Sequence, residues 1–140
     1  MTFIDDYGRK LWAFVLKSKD QVLSFFKEFQ ARAERELGRK LKAVQTDNGG
    51  EYKGHFEEYY KAQGIRIKYI VPKTPELNGL AERMNQTIIE RGRSMTSHAK
   101  LSKSYWAEAM YTTVYLINKS PLVPLKGDVP HRARTGKDVF

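Results

Sequence analysis

The chain has 140 residues and carries 25 lysines and arginines against 16 aspartates and glutamates, a formal net charge of +9 at pH 7. It has no cysteine, which excludes disulfides, cysteine-based zinc sites and cysteine nucleophiles, and its apolar runs fall far short of the ~20 residues that a membrane span needs. The length fits one domain, and the positive charge indicates a polyanionic partner, most simply nucleic acid. A basic surface without any partner is the alternative. Asp5 and Asp6 near the start argue against a secretory signal, so an intracellular protein is expected.

Strand and helix patterns interleave along the chain, which predicts an α/β fold. Short apolar runs bounded by polar residues predict strands, and apolar residues three and four positions apart predict helices. The predicted buried stripes are Val22, Phe26, Phe29, Ala33 and Leu37 on the first helix and Trp106, Met110, Thr113 and Ile117 on the last. Ser18 and Asp20 are candidate caps for the first helix. Prolines 121, 124 and 130 predict an irregular end, so the expected division is 1–125 and 126–140. In chain order, the first predicted elements are a hairpin around residues 5–9, a strand at 11–16 and a helix that begins near Ser18 or Asp20 and ends at residue 37. They are followed by a strand at 41–46, a helix at 56–62, a strand at 65–71, and helices at 77–99 and 102–118.

One candidate carboxylate follows the strand predicted at residues 41–46. Asp47 begins the sequence Asp47-Asn48-Gly49-Gly50, and open α/β sheets place their active sites at the carboxyl ends of buried strands. The two glycines allow a sharp turn and a close approach to a ligand. The same residues also form an ordinary turn in which Asp47 bonds its own backbone, and this segment alone favours that simpler interpretation.

A second carboxylate lies on the helix predicted at residues 77–99. At about 100° of rotation per residue, one apolar stripe forms the core face and Glu82 points the opposite way. A solvated face is the simpler interpretation, but this one follows a loop that contains Lys73, and reactive groups gather in loops. The stripe consists of Leu77, Ala81, Met84, Ile88 and Met95, and the residues on the side of Glu82 are Asn78, Asn85, Gln86, Ile89 and Arg93.

Asp47 and Glu82 together suggest a metal site. Two or three carboxylates can hold two divalent ions ~4 Å apart, one activating a nucleophile and the other stabilising the leaving oxygen of a phosphodiester. Oxygen ligands without histidine or cysteine suit Mg²⁺ or Mn²⁺ rather than Zn²⁺. The basic chain around such a site favours a nucleic-acid substrate.

Four segments of the sequence point to one family. They read FIDDYGRKLWAFVLKSKDQV, TDNGGEY, PKTPELNGLAERMNQT and SYWAEAMYTTVYLINKSP, in that order. They resemble the integrase catalytic core of Ty1/copia-type retrotransposon Pol polyproteins, and the resemblance extends to about Leu125. It implies a ribonuclease-H-like fold, with a mixed central sheet flanked by helices, and an Asp, Asp, Glu triad that binds two Mg²⁺ or Mn²⁺ ions.

The resemblance also implies roles for individual residues. Asp47 matches the second triad carboxylate and Glu82 the third, with Asn48 and Gly49 beside the second. The implied activity is DNA integration by polynucleotidyl transfer, which comprises processing of element ends and strand transfer. The implied partners are element ends, target DNA and further copies of the chain, without a membrane or a small-molecule substrate, and integration is expected in the nucleus. Positions that resemble DNA-facing ones are Lys73, Asn78, Arg83, Asn85, Gln86 and Arg93.

Departures from the family pattern concern the two ends. The first triad aspartate belongs to a strand before Thr2, so the sequence predicts a core without its first strand and without activity of its own. Asp5 and Asp6 match the next strand and are predicted to form a turn rather than to bind metal. The last fifteen residues match the family poorly. Two alternatives remain open: a non-enzymatic remnant that binds nucleic acid, and a dimerising module that packs through the helix containing Trp106.

Overall fold

The computed structural model describes residues 1–46, 54–70 and 75–138, with side chains in the last range from residue 79 onward. The chain divides into two compact units, Met1–Val15 with Ala81–Phe140, and Leu16–Leu80. Short 3-10 turns occupy Lys19–Gln21, Lys103–Tyr105 and Val123–Leu125. The regular elements are β1 (Thr2–Ile4), β2 (Leu11–Ala13), α1 (Val22–Leu37), β3 (Ala43–Thr46), α2 (His55–Gln63), β4 (Arg66–Tyr69), α3 (Pro75–His98), α4 (Trp106–Asn118) and α5 (Pro130–Thr135).

The predicted hairpin at the start of the chain is confirmed. β1 and β2 pair antiparallel, with Ile4 opposite Leu11. Asp5 closes the connection, because its Oδ2 accepts a 2.5 Å hydrogen bond from the Gly8 amide and its carbonyl accepts one from the Arg9 amide at 2.9 Å. The predicted turn-forming role of Asp5 is therefore correct. The second strand ends at residue 13, three residues earlier than predicted. Ala13 is paired with Thr2, the first residue of β1, so β1 offers no further partner beyond it.

The core of the first unit lies between the hairpin, α3 and α4. Its centre consists of Leu11, Ile88, Val114 and Ile117, with Met84 packed against it. The apolar stripes predicted for the two long helices therefore face this core as expected, apart from position 77, whose side chain is outside the described residues.

The last helix, α5, corrects the prediction of an irregular end. Prolines break helices in the interior, but Pro130 occupies the first turn, where its missing N–H has no intrahelical partner to lose. Asp128 supports the start of the helix by accepting hydrogen bonds from the Val129 amide and from Arg132 Nε, both at 2.7 Å. Gly136, at φ 69°, ends it in the left-handed conformation.

Arg134 fixes α5 to the hairpin. Its guanidinium forms an ion pair with Asp5 and lies 4.7 Å from the centre of the Trp12 ring, and its side chain is 9% exposed. A Cβ added at Gly8 would lie 2.9 Å from the Arg134 Cβ, so this close approach requires glycine at position 8. The carboxylate of Asp5 is thus engaged in holding the turn and the helix.

Within the described residues, the second unit contains the parallel strands β3 and β4, the helices α1 and α2, and the first residues of α3. β3 and β4 pair in parallel, in the register Ala43 opposite Arg66 to Thr46 opposite Tyr69. Phe26 of α1 packs against α2, with its ring 4.9 Å from that of Tyr60. The predicted stripe of α1 is buried except at its last position, residue 37, and the two predicted strands are each shorter than expected.

The start of α1 differs from the prediction. Asp20 belongs to a 3-10 turn that precedes the helix, and Ser18, which flanks that turn, makes no side-chain capping bond. The residue that flanks α1 is Gln21, and its side-chain oxygen accepts a hydrogen bond from the Lys17 amide at 2.9 Å. The extra turn shifts the helix start to Val22, so the prediction that Ser18 or Asp20 caps α1 is wrong. No helix in the described ranges is both long enough and apolar enough to cross a membrane.

Candidate functional site

The predicted site residues divide into those on α3 and those outside the described residues. Asp47, Asn48, Gly49 and Lys73 fall outside, and Asn78 lies in the first part of α3, where the side chains are not described. The structure brings the remaining residues together on one helix, and all of them are exposed: Glu82, Arg83, Asn85, Gln86 and Arg93.

Glu82 lies on the face of α3 turned away from the core, as the helical periodicity predicts. Ile88, on the opposite side, is 1% exposed, and Met84 packs against the core, whereas Glu82 is exposed. Arg93 follows three turns later on nearly the same face, about 16 Å along the axis at 1.5 Å per residue. One exposed strip of α3 thus presents a carboxylate and, farther along, a cation.

Asn85 is tied to the first strand. The Thr2 hydroxyl donates a 2.6 Å hydrogen bond to Asn85 Oδ1, so β1 fixes the side chain that follows Glu82 by one helical turn. Within the described residues no partner is found for Asn85 Nδ2, which leaves this group able to donate to a ligand. Sequence reasoning missed Thr2, because the contact joins residues 83 positions apart and no local pattern signals it.

Ile89 departs from the polar strip to which the helical periodicity assigns it. Its side chain is partly buried, whereas Gln86, one turn earlier, is exposed. The exposed strip of α3 is therefore interrupted by one apolar residue, and its charged part consists of two arginines and two glutamates: Arg83, Arg93, Glu82 and Glu90.

The donor chemistry of the predicted ligands suits a hard divalent cation. Glu82 offers carboxylate oxygens in an exposed position, and Asp47 would add a second carboxylate. Within the described residues, which exclude Asp47, no group of three or more histidines, aspartates and glutamates is close enough to hold a metal ion. The metal ligands that the sequence predicts therefore remain Asp47 and Glu82.

The fold is that of the retroviral integrase catalytic cores, which are ribonuclease-H-like. It matches a chain of the simian T-cell lymphotropic virus intasome, solved in complex with the PP2A regulatory subunit B56 gamma, with a TM-score of 0.75 and 19% identity over 99% of this chain and 49% of that one. It also matches the HTLV-2 integrase catalytic core solved with magnesium, at TM-score 0.72 and 18% identity over 95% and 82%. The BIV integrase core gives a TM-score of 0.70 and 18% identity over 94% and 81%.

Sequence comparison defines the family more narrowly. The chain is 56% identical over 140 residues to the retrovirus-related Pol polyprotein from transposon TNT 1-94 of Nicotiana tabacum, covering 99% of the chain and 10% of that protein. It is 37% identical over 134 residues, 96% of the chain and 9% of the relative, to the Pol polyprotein from transposon RE1 of Arabidopsis thaliana. No family model matches the sequence. The chain belongs to the Ty1/copia-type retrotransposon Pol polyproteins, in their integrase catalytic core, and spans about a tenth of the length of these relatives.

Proposed function

We propose that this chain is the part of a retrotransposon integrase that carries out DNA integration, by transfer of polynucleotide ends. The observation that carries the proposal is the exposed Glu82 carboxylate, on the face of α3 opposite the buried Ile88. It lies in a segment that resembles the third triad position, within a chain that is 56% identical to a transposon Pol polyprotein.

In this proposal Asp47 and Glu82 are ligands of two divalent ions. Bound there, the ions would supply activation of the attacking hydroxyl and stabilisation of the leaving oxygen. Magnesium in the related HTLV-2 core, and the preference of Mg²⁺ for oxygen ligands, support the choice of metal. Asn48 and Gly49 follow the first ligand in the sequence and support it in this proposal.

The remaining residues of the proposed site bind and orient DNA. Arg83 and Arg93 on α3, with Lys73 before it, neutralise backbone phosphates, because cations on one surface replace the counterions of the nucleic acid. The amides of Asn78, Asn85 and Gln86 contact the substrate near the third carboxylate. The hydrogen bond from Thr2 orients the Asn85 amide with its Nδ2 available as a donor.

Metal binding tests the proposal directly. In a titration, the affinity of Glu82→Gln for Mn²⁺ should be about tenfold or more below that of wild type. Even the loss of a residue that only supports a metal ligand typically lowers metal affinity about tenfold. Glu90→Gln is the matched control, because Glu90 is another exposed carboxylate on the same helix. Equal Mn²⁺ affinity of the two variants would exclude Glu82 as a ligand. DNA binding without any Mn²⁺ binding would favour the non-enzymatic remnant instead.

Activity gives a second test. Residues 1–140 contain matches to two of the three family carboxylates, so we propose that they do not catalyse strand transfer by themselves, because Mg²⁺ demands near-ideal octahedral coordination. The assay compares this chain with a longer version of the polyprotein that includes the preceding segment, which should be active. Turnover by the 140-residue chain that Asp5→Asn or Asp6→Asn abolishes would assign the third ligand to the hairpin and contradict the turn interpretation.

Self-association and location complete the proposal. HTLV-2 integrase cores have been solved in trimeric and dimeric forms, which supports self-association of this chain. Sedimentation velocity over a range of protein concentrations measures it directly. Joining element DNA to chromosomal DNA requires access to chromosomes, so we place the reaction in the nucleus.

A further inference from the structure

We propose that the second unit carries its own binding surface for the phosphate backbone of DNA, on the exposed face of the β3–β4 pair. We call this surface the basic strand face and define it by Arg66 and Lys68, with Arg39 and Lys42 in the loop that leads into β3. The choice of DNA as the partner rests on the proposed function. The surface itself rests on the register of the strands and on the charges described below.

Strand register places Arg66 and Lys68 on the same side of the pair. Successive side chains of a strand alternate between faces, so Arg66 and Lys68 point the same way, about 6.6 Å apart along the strand. The parallel register sets Lys68 opposite Gln45, and all three side chains are exposed. The opposite face is covered in part by α2, because the Tyr69 hydroxyl donates a hydrogen bond to Glu57 at 3.2 Å.

The loop before β3 carries two further cations, near the start of the strand pair. The carbonyl of Lys42 accepts a 2.9 Å hydrogen bond from the Arg66 amide, so Lys42 lies beside the beginning of β4. Arg39 belongs to the same loop, which is fixed to α1 where the Leu41 amide donates to Glu34 Oε1 at 2.9 Å. That hydrogen bond is the main reason why the pKa of Glu34 is held below its ordinary value. The loop cations are therefore attached to an ordered backbone.

These four cations have no acidic partner within the described residues. Other basic side chains of the same unit do: Arg32 pairs with Glu28 at 2.5 Å and Lys40 with Glu34 at 3.4 Å. Four such positive charges on two neighbouring backbone segments repel one another, and a polyanion relieves that repulsion while releasing its own counterions.

The composition of this face favours DNA over an acidic protein as the partner. Protein interfaces depend on aromatic and other large apolar anchors, and the exposed side of the strand pair offers Arg66, Lys68, Gln45 and the small Ala43 instead. A row of cations without apolar anchors binds phosphates and reads no sequence. In the sequence, β3 is followed directly by Asp47, the proposed metal ligand. The basic strand face therefore belongs to a strand pair that leads to the proposed metal site.

The test is the salt dependence of binding to a fluorescent 20-base-pair duplex of arbitrary sequence, measured by anisotropy with the full chain. Arg66→Gln combined with Lys68→Gln should lower the slope of log K against log salt by about 1.8, at about 0.9 for each phosphate that is no longer neutralised. Lys126→Gln with Lys137→Gln removes the same charge from exposed, unpaired positions of the first unit and should leave the slope nearly unchanged.

Two further variants assign the cause. Arg66→Lys with Lys68→Arg keeps the charge and should keep the slope, which separates the effect of the charge from damage to the strand. Arg83→Gln with Arg93→Gln tests independently the two arginines of α3 that the proposed function assigns to DNA. A slope for the Arg66 and Lys68 variant equal to that of the control pair overturns the inference even if the α3 variant loses binding. Loss confined to the Arg66 and Lys68 variant supports the inference and counts against α3 as the DNA surface of the proposed function.

Discussion

Asn118 should be among the most sensitive positions of the fold, although it lies far from the proposed chemistry. Its Oδ1 accepts a hydrogen bond from the Leu11 amide and its Nδ2 donates one to the Leu11 carbonyl, both at 2.8 Å. The side-chain amide therefore pairs with β2 as a neighbouring strand would. Leu11 is 1% exposed, so Asn118→Ala leaves two backbone groups without partners in the core. At about 1–3 kcal/mol for each of the two unsatisfied groups, the expected loss is about 2–6 kcal/mol.

Urea denaturation measures this loss, with Ser120→Ala as the control. Ser120 lies two residues later and bonds an exposed carbonyl of its own helix, so its loss should cost little. Asn118→Asp sharpens the test, because its carboxyl must be protonated to donate to the Leu11 carbonyl. The folded state thus raises the pKa of this carboxyl, and the stability it contributes is present at low pH and lost as the pH rises through the folded-state pKa. A loss below about 1 kcal/mol for Asn118→Ala, or no pH dependence for Asn118→Asp relative to wild type, would refute the reasoning.

Four further substitutions test the helix faces and the loop before β3 by thermal and urea melts. Glu82→Gln should leave the free energy of unfolding nearly unchanged, whereas Met84→Ala, at a partly buried position, should lower it by about 2 kcal/mol. A larger loss for Glu82→Gln than for Met84→Ala would mean that the faces of α3 are misassigned. Gly92→Val should cost about 1–3 kcal/mol, because a Cβ there meets the Met110 sulfur at 3.1 Å, and an unchanged melt would contradict that packing. The bond from the Leu41 amide lowers the pKa of Glu34. Wild type should therefore have a higher free energy of unfolding than Glu34→Gln near pH 6, and this difference should shrink towards about pH 3, as the carboxylate becomes protonated. A difference that does not change with pH would contradict this prediction.

Local periodicity was sufficient for the long helices and for the orientation of the proposed ligand. Spacing alone decides which face of a helix is buried, so Ile88 and Ile117 were predicted to lie inside and Glu82 outside, as the structure confirms. Periodicity cannot show contacts between distant residues. The bond from Thr2 to Asn85 and the ion pair of Arg134 with Asp5 join residues 83 and 129 positions apart.

The error at α5 has the same origin. Counting prolines treats each one as a helix breaker, yet the effect of Pro130 depends on its place in the first turn. A helix of six residues is also too short to be stable alone, so its existence depends on a tertiary partner. Arg134, held between Asp5 and Trp12, provides that partner, and nothing in the local sequence identifies it.

The motifs that identify the family combine residues that hold the fold with residues assigned to the chemistry. Asp5 and Asn118 belong to two of these motifs, and the structure gives both of them partners in the hairpin. Strands of three and four residues cannot persist alone, so such side-chain bonds are needed whether or not the protein is active. A motif match by itself therefore indicates the fold more firmly than the reaction. Two substitutions separate the residues that hold the fold from those assigned to the chemistry. Asn118→Ala should lower stability, whereas Glu82→Gln should weaken Mn²⁺ binding and leave the melting temperature unchanged.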